Sequence, residues 1–126
     1  MEAGEGRDRQ VLGREAEEAV VQYMIRDGYA ILARNFFCRY GELDIVAEKN
    51  DVICFVEVRM RSSAAWGDPS HTVSHAKQRR VVKAALHYLM AYRIRDRMIR
   101  FDVVSVVGRG SALTLEHIPN AFDAGM

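Results

Sequence analysis

Apolar residues along this chain recur with two periods, one that suits helices and one that suits strands. From Gly13 to Asp27 the positions Ala16, Ala19, Val20, Tyr23 and Met24 return three and four apart, while Arg14, Glu15, Glu18, Gln22 and Arg26 fill the opposite side. Gly28 follows as a left-handed stop, so the pattern predicts a helix over 13–27. Residues 1–12 are rich in charge and glycine and are expected to form a disordered tail. Three strand-like segments come next, at 29–35, 41–48 and 52–61; the last two flank Lys49-Asn50-Asp51, which is turn chemistry and predicts an antiparallel hairpin. A loop over 62–74 holds Gly67 and Pro69. Ser74 then caps a helix reaching Tyr92, with Val81, Ala84, Ala85, Tyr88 and Leu89 on its apolar side. Residues 100–107 are rich in β-formers, 113–118 alternate weakly as an edge strand, and 121–126 read as a C-terminal tail. The order α-β-β-β-α-β-β predicts an α/β fold, a mixed β-sheet flanked by helices in a single domain over 13–120.

Composition narrows the classes. Of the 126 residues, 49% are apolar and 28% charged, which excludes a largely disordered chain. A formal charge of +1 gives no global attraction for nucleic acid, so such affinity has to come from a local patch. One patch is visible: from Lys77 to Arg100 there are eight basic residues against one acid, Asp96, a local net of +7. Lys77, Arg80 and Lys83 on the second helix, with Arg61 at the end of the hairpin, are the expected phosphate contacts. The polar N-terminus lacks a signal-peptide core, and no apolar run approaches membrane-spanning length, so a cytoplasmic protein without a membrane partner is expected. Cys38 and Cys54 make neither a disulfide framework nor a zinc knuckle, and Cys54 reads as a small buried hydrophobe. His71 and His75 are four apart but lack a third ligand at a defined spacing, and Trp66 reads as a loop anchor.

The hairpin carries the candidate chemistry. If its connection is centred between Asn50 and Asp51, Asp44 and Glu57 each lie six residues from the turn and face one another across the strands. Arg59 shares the face of Glu57, one pleat further along. Like charges directly opposite are destabilising, and both carboxylates interrupt apolar strands. A hard divalent cation, Mg²⁺ or Mn²⁺, would offset that cost. From spacing alone a second account stands beside it, in which both acids lie near the sheet ends and pair with Arg39, Arg59 or Arg61.

The strings Tyr29-Ala30-Ile31-Leu32-Ala33-Arg34-Asn35, Gly41-Glu42-Leu43-Asp44, Phe55-Val56-Glu57-Val58-Arg59 and Arg100-Phe101-Asp102-Val103-Val104 resemble those of the YraN-like family of uncharacterised bacterial proteins. That family is similar to small Holliday-junction resolvases and other members of the restriction-endonuclease-like superfamily. The resemblance implies a restriction-endonuclease-like fold with Asp44 and Glu57 in the superfamily's Asp…Glu-x-Lys signature. It implies Glu17 in the first helix as an assisting carboxylate and Lys77 as a lysine common at that place. Glu42, on the face of Asp44, is a further ligand or an exposed strand-end carboxylate. The chain departs from the signature at Arg59, where lysine is expected; arginine stays protonated and clamps a phosphate but does not act as a base.

Together these features lead to the expectation of a Mg²⁺- or Mn²⁺-dependent nuclease acting on DNA, with branched or damaged substrates suggested by the resolvase likeness alone. Asp44, Glu57, Glu17 and Glu42 would hold the metal, and Arg59 would contact the scissile phosphate. Resolvase-like proteins act as dimers, so the resemblance also implies a homodimer. Two other classes fit the sequence: a nucleic-acid-binding domain that has lost cutting, with Arg59 as the trace, and a protein-interaction domain with a basic helix.

Overall fold

The computed structural model describes residues 2–61, 73–108 and 112–124, with the backbone alone for 2–12. Helix α1 (Glu2–Arg26) leads into three strands, β1 (Ala30–Cys38), β2 (Gly41–Lys49) and β3 (Val52–Arg61). Helix α2 (His75–Ala91) follows, and β4 (Met98–Val107) and β5 (Thr114–Phe122) complete the chain. The strands lie side by side in sequence order as one five-stranded sheet. Only the β3–β4 pair is parallel, which requires the crossover that α2 supplies. The α/β class and the order α-β-β-β-α-β-β are those expected.

Each helix covers one face. Ala16, Val20, Val21 and Met24 of α1 pack on Ile45, Ala47, Cys54, Val56, Val104 and Val106. Val81, Ala84, Ala85 and Tyr88 of α2 pack on Leu43, Val46, Ile53, Phe55 and Phe101. Because β3 is covered on both sides, it reads as a nearly continuous apolar run, as a doubly buried strand should.

The stops and turns follow local chemistry. Gly28, at φ 92°, lets α1 end with the Gly28 N–H bonded to the Ile25 carbonyl and the Tyr29 N–H to the Met24 carbonyl. Helix α2 starts at Ser74, whose hydroxyl accepts the Lys77 N–H at 3.1 Å. Asn50 and Asp51 both have positive φ and form a two-residue turn between the paired Lys49 and Val52.

Several boundaries differ from expectation: β1 runs on from 35 to Cys38, β4 starts at Met98 rather than 100, and the ends of α1 and β5 shift further. The helix expected from 13 begins at Glu2, so the stretch read as a tail is helical. Extending a formed helix fixes one residue per hydrogen bond, whereas starting one fixes three, so the packed portion carries its N-terminal extension. β5 continues past 118 to Phe122, because Phe122 stacks on Phe101 (centroids 5.2 Å apart) and returns the strand to the sheet after a register shift. The loop tip with Trp66 and His71 lies outside the described residues.

Candidate metal centre

The hairpin register places the site. Pairing between β2 and β3 runs from Lys49 opposite Val52 to Ile45 opposite Val56 and stops one step short of Asp44 and Glu57, the pair expected to face one another. Beyond that point β2 remains paired with β1, Leu43 with Phe36, while β3 continues along β4 to Arg61 opposite Val107. Alternation also lapses, since Leu43 joins the α2-side cluster and Ile45 the α1-side cluster. The Asp44 carboxylate bridges the parting strands by accepting the Val58 N–H on Oδ2 at 2.9 Å. An unpaired backbone donor is thereby satisfied, and an acidic side chain is held where the sheet opens.

Two other carboxylates meet Asp44 in this opening. Glu17 comes from α1, and Glu42 lies two residues before Asp44 on β2; one oxygen from each of the three lies within 4.8 Å of the others. Asn35 of β1, at φ 51°, links two of them. With its amide nitrogen turned toward the cluster, it donates to Glu17 Oε1 at 3.1 Å and to Glu42 Oε1 at 2.8 Å. Burial, followed by the charge of Asp44, pushes the Glu17 carboxyl up. Burial, then Asp44 and Glu17, does the same for Glu42. Asp44 is also raised by burial, against the lowering effect of the Val58 N–H, Lys77 and Arg59. Burial therefore raises all three carboxyls, repulsion between the acids adds to it at Glu17 and Glu42, and Arg34, Lys77 and Arg59 offset only part of the effect. An all-oxygen, anionic donor set of this size fits Mg²⁺ or Mn²⁺: oxygens on one octahedral ion of about 2.1 Å bond length stand up to about 4.2 Å apart. Modest side-chain rotation would close the remaining gap.

Glu57 stands behind Asp44 and is not part of that three-acid cluster. It is 1% exposed, and burial, then the charge of Asp44, drives its carboxyl up to about 7. Its Oε1 lies 3.2 Å from Lys77 Nζ, its charged partner among the described residues. Lys77 thus reaches from the first turn of α2 to the acid that the signature pairs with a strand lysine. Its pairing with Glu57 was not evident from the sequence, because only the fold brings α2 over β3. Arg59 adds positive charge toward Asp44.

The basic run divides. Arg97 pairs with Glu48, and Arg100 makes two 2.8 Å hydrogen bonds to Asp102, so these two belong to the structure. Lys77, Arg79, Arg80 and Lys83 remain together on α2, a helix that contains no acidic residue. Arg80 sits over the start of β2, where a Cβ on Gly41 would lie 3.9 Å from its own Cβ. Arg61, half-buried, ends β3.

A second polar centre, absent from the sequence reasoning, lies on the α1 face. Asp102 is fully buried and accepts from His117 Nε2 at 2.7 Å and from the Asn120 N–H at 2.9 Å, besides Arg100. Tyr23 bonds the other ring nitrogen of His117 at 2.8 Å, and Arg100 donates to the Tyr29 hydroxyl at 2.7 Å. Burial pushes the Asp102 carboxyl up, but these hydrogen bonds outweigh it and hold the group below its ordinary range. The network joins α1, β4 and β5. It explains the Arg100-Phe101-Asp102 string as a structural lock, with both carboxylate oxygens engaged. Cys54, beside it, is buried, and burial followed by Asp102 raises its thiol to about 11.

No helix among the described residues is long and apolar enough to cross a membrane. Comparison with known proteins gives a consistent result. The chain is 62% identical over 119 residues to a UPF0102 protein of Myxococcus xanthus, covering 94% of each. It is 47% identical over 112 residues to one of Geobacter metallireducens, covering 89% of this chain and 92% of the relative. A UPF0102 protein of Persephonella marina is 42% identical over 113 residues, covering 90% and 94%. Residues 16–106, which span Glu17, the hairpin, α2 and most of β4, match the family described as Uncharacterised protein family UPF0102, and the chain belongs to that family.

Proposed function

We propose that this protein is a divalent-metal-dependent nuclease that hydrolyses phosphodiester bonds in DNA. The observation that carries the proposal is the convergence of Glu17, Glu42 and Asp44 at the point where β2 and β3 part, with the buried Glu57 behind them and a basic helix alongside. Repelling acids at a sheet opening are costly to a fold and useful to a cation.

Asp44, Glu42 and Glu17 would hold Mg²⁺ or Mn²⁺, and Glu57 would complete the set after releasing Lys77. The ion, when bound, lowers the pKa of attacking water and neutralises charge on the phosphate. Water oxygen bonds to phosphorus, the bond to the leaving sugar oxygen breaks, and a proton passes to that oxygen. Arg59 clamps a non-bridging phosphate oxygen, and Lys77, freed from Glu57, faces the same space as a second cation. The test is Mn²⁺-dependent cleavage of labelled single-stranded, duplex and four-way-junction DNA by wild type and Asp44→Ala. Cleavage by wild type alone supports the nuclease.

Arg59 favours a second reading, a nucleic-acid-binding domain of the same fold that has lost cutting. Binding with steep salt dependence and no cleavage under any metal would select it.

A further inference from the structure

Beside the carboxylates, on the α2 face of the sheet, lies a groove of about 450 Å³ lined by Arg39, Tyr40, Lys83, Leu86, His87 and Met90. Its chemistry is mixed in a specific way: two cations, two flat rings and two exposed apolar side chains. Tyr40 sits in the turn between β1 and β2, two residues before Glu42. Its ring lies 6.1 Å from that of His87, and the Arg39 guanidinium stands 4.8 Å from its centroid. Further rings adjoin this pair, His87 to Phe36 at 6.1 Å and Phe36 to Tyr92 at 6.4 Å. His87 is exposed, Tyr92 is 60% exposed and Met90 79%. His87 and Met90 lie on α2 and Tyr92 caps it, while Val81, Ala84, Ala85 and Tyr88 of the same helix are buried.

Cations accompany the row. Lys77, Arg80, Lys83 and His87 recur three and four apart and form one stripe along α2 that starts at Glu57. Ten residues separate Lys77 from His87, about 15 Å along the axis. At a rise of about 3.4 Å per nucleotide, that distance spans about four stacked nucleotides. A duplex presents phosphates but keeps its base faces stacked inside. A row of rings with cations beside it suits a strand whose bases are unpaired.

We propose that the Arg39–Tyr40–His87 groove binds an unpaired nucleic-acid strand leaving the carboxylate centre, with a base against Tyr40 and His87 and its phosphates on Arg80 and Lys83. The inference rests on the nuclease reading for its direction and narrows the substrate to nucleic acid with a single-stranded segment beside the scissile phosphate. Lys77 marks the start of the track, and Tyr40 fixes the position of the first base.

The test is fluorescence anisotropy of a labelled oligodeoxythymidylate and of an abasic strand of equal length, with chelator present so that nothing is cut. Tyr40→Ala and His87→Ala should each weaken thymidylate binding about tenfold and leave abasic binding at the wild-type level. Tyr40→Phe, which keeps the ring, should bind thymidylate as wild type does. Unchanged thymidylate affinity in Tyr40→Ala overturns the proposal. So does equal loss on both strands, which would mean that charge alone is recognised, as for an acidic protein partner. The two readings fail separately: wild type that never cuts but shows this base-dependent binding removes the nuclease, whereas cutting with base-independent binding removes only the groove.

Discussion

Glu57 gives the sharpest test of the electrostatics, because its cost to the metal-free fold can be worked out and then removed by one atom change. Its carboxyl ionises at about 7 in the folded protein against 4.5 for the free side chain. At about 1.4 kcal/mol per pH unit, ionising it costs about 3 kcal/mol more in the folded chain than in the unfolded one. The attraction of Lys77 is already contained in that difference. Between pH 4.5 and about 7 the folded state holds the extra proton, so stability falls as pH rises through this window. The penalty is absent below it and complete above it. Glu57→Gln keeps the shape and stays neutral, so it should match wild type near pH 4.5 and exceed it by about 3 kcal/mol at pH 8. That corresponds to roughly ten degrees in Tm for a chain of this size. Relief of Asp44, which repels Glu57, acts in the same direction.

The assay is urea denaturation followed by far-ultraviolet circular dichroism, from pH 4.5 to 8.5 with chelator present. Equal pH slopes for the two proteins, or a wild type more stable than Glu57→Gln at pH 8, would refute the reasoning. Repeating the series with Mn²⁺ links stability to function. An ion binding only the folded state at about 100 times its Kd stabilises by about 2.7 kcal/mol, and wild type should gain more than Glu57→Gln.

Asp102→Ala should cost about 3–5 kcal/mol in the same denaturation assay, because it leaves Arg100 and His117 without their buried anion. With its carboxyl held low, Asp102 contributes stability that disappears as pH falls through its folded pKa, opposite in sign to Glu57. Arg59→Ala should reduce Mn²⁺-dependent cleavage about 100-fold or more, while Arg59→Lys keeps it within about tenfold; single-turnover rates on labelled DNA decide this. Arg93 ends α2 at φ 55°, with its N–H bonded to the Met90 carbonyl and the Ile94 N–H to the Leu89 carbonyl. Arg93→Gly should therefore raise stability by about 0.5–1 kcal/mol, measured by thermal unfolding.

The parts of the fold fixed by local chemistry were legible along the chain. Lys49-Asn50-Asp51 is hairpin-turn chemistry, and the two-residue turn formed there sets the register that runs to Ile45 opposite Val56, next to Asp44 and Glu57. Gly28 and Ser74 likewise mark helix ends through groups that act within a few residues. What stayed hidden depends on packing across the sheet. Lys77 is one more cation in a basic run until α2 lies over β3. Asn35 is a turn-like residue until β1 brings it between Glu17 and Glu42. His117 carries no motif, yet it bonds both Asp102 and Tyr23, the latter 94 residues earlier in the chain. The net of +7 overstated the docking charge, because Arg97 and Arg100 are used internally.

The two polar centres separate the demands of folding and function. Asp102 and Glu57 lie on opposite faces of the sheet, since Asp102 is level with Val56 in the β3–β4 register, one step from Glu57. At Asp102 the charge is matched by Arg100 and His117, and the carboxyl is held low. At the opening, which Glu17 of α1 also reaches, acids gather and four carboxyls are driven up. A sheet that needed only to fold could balance both centres with the same means, since arginine and histidine already do so at Asp102. The imbalance is therefore local to the opening, where β2 and β3 part and a ligand can enter. Lys77 supplies partial compensation from a helix whose next turns carry Arg80 and Lys83, so the group that steadies the buried Glu57 also begins the track along which we place the strand.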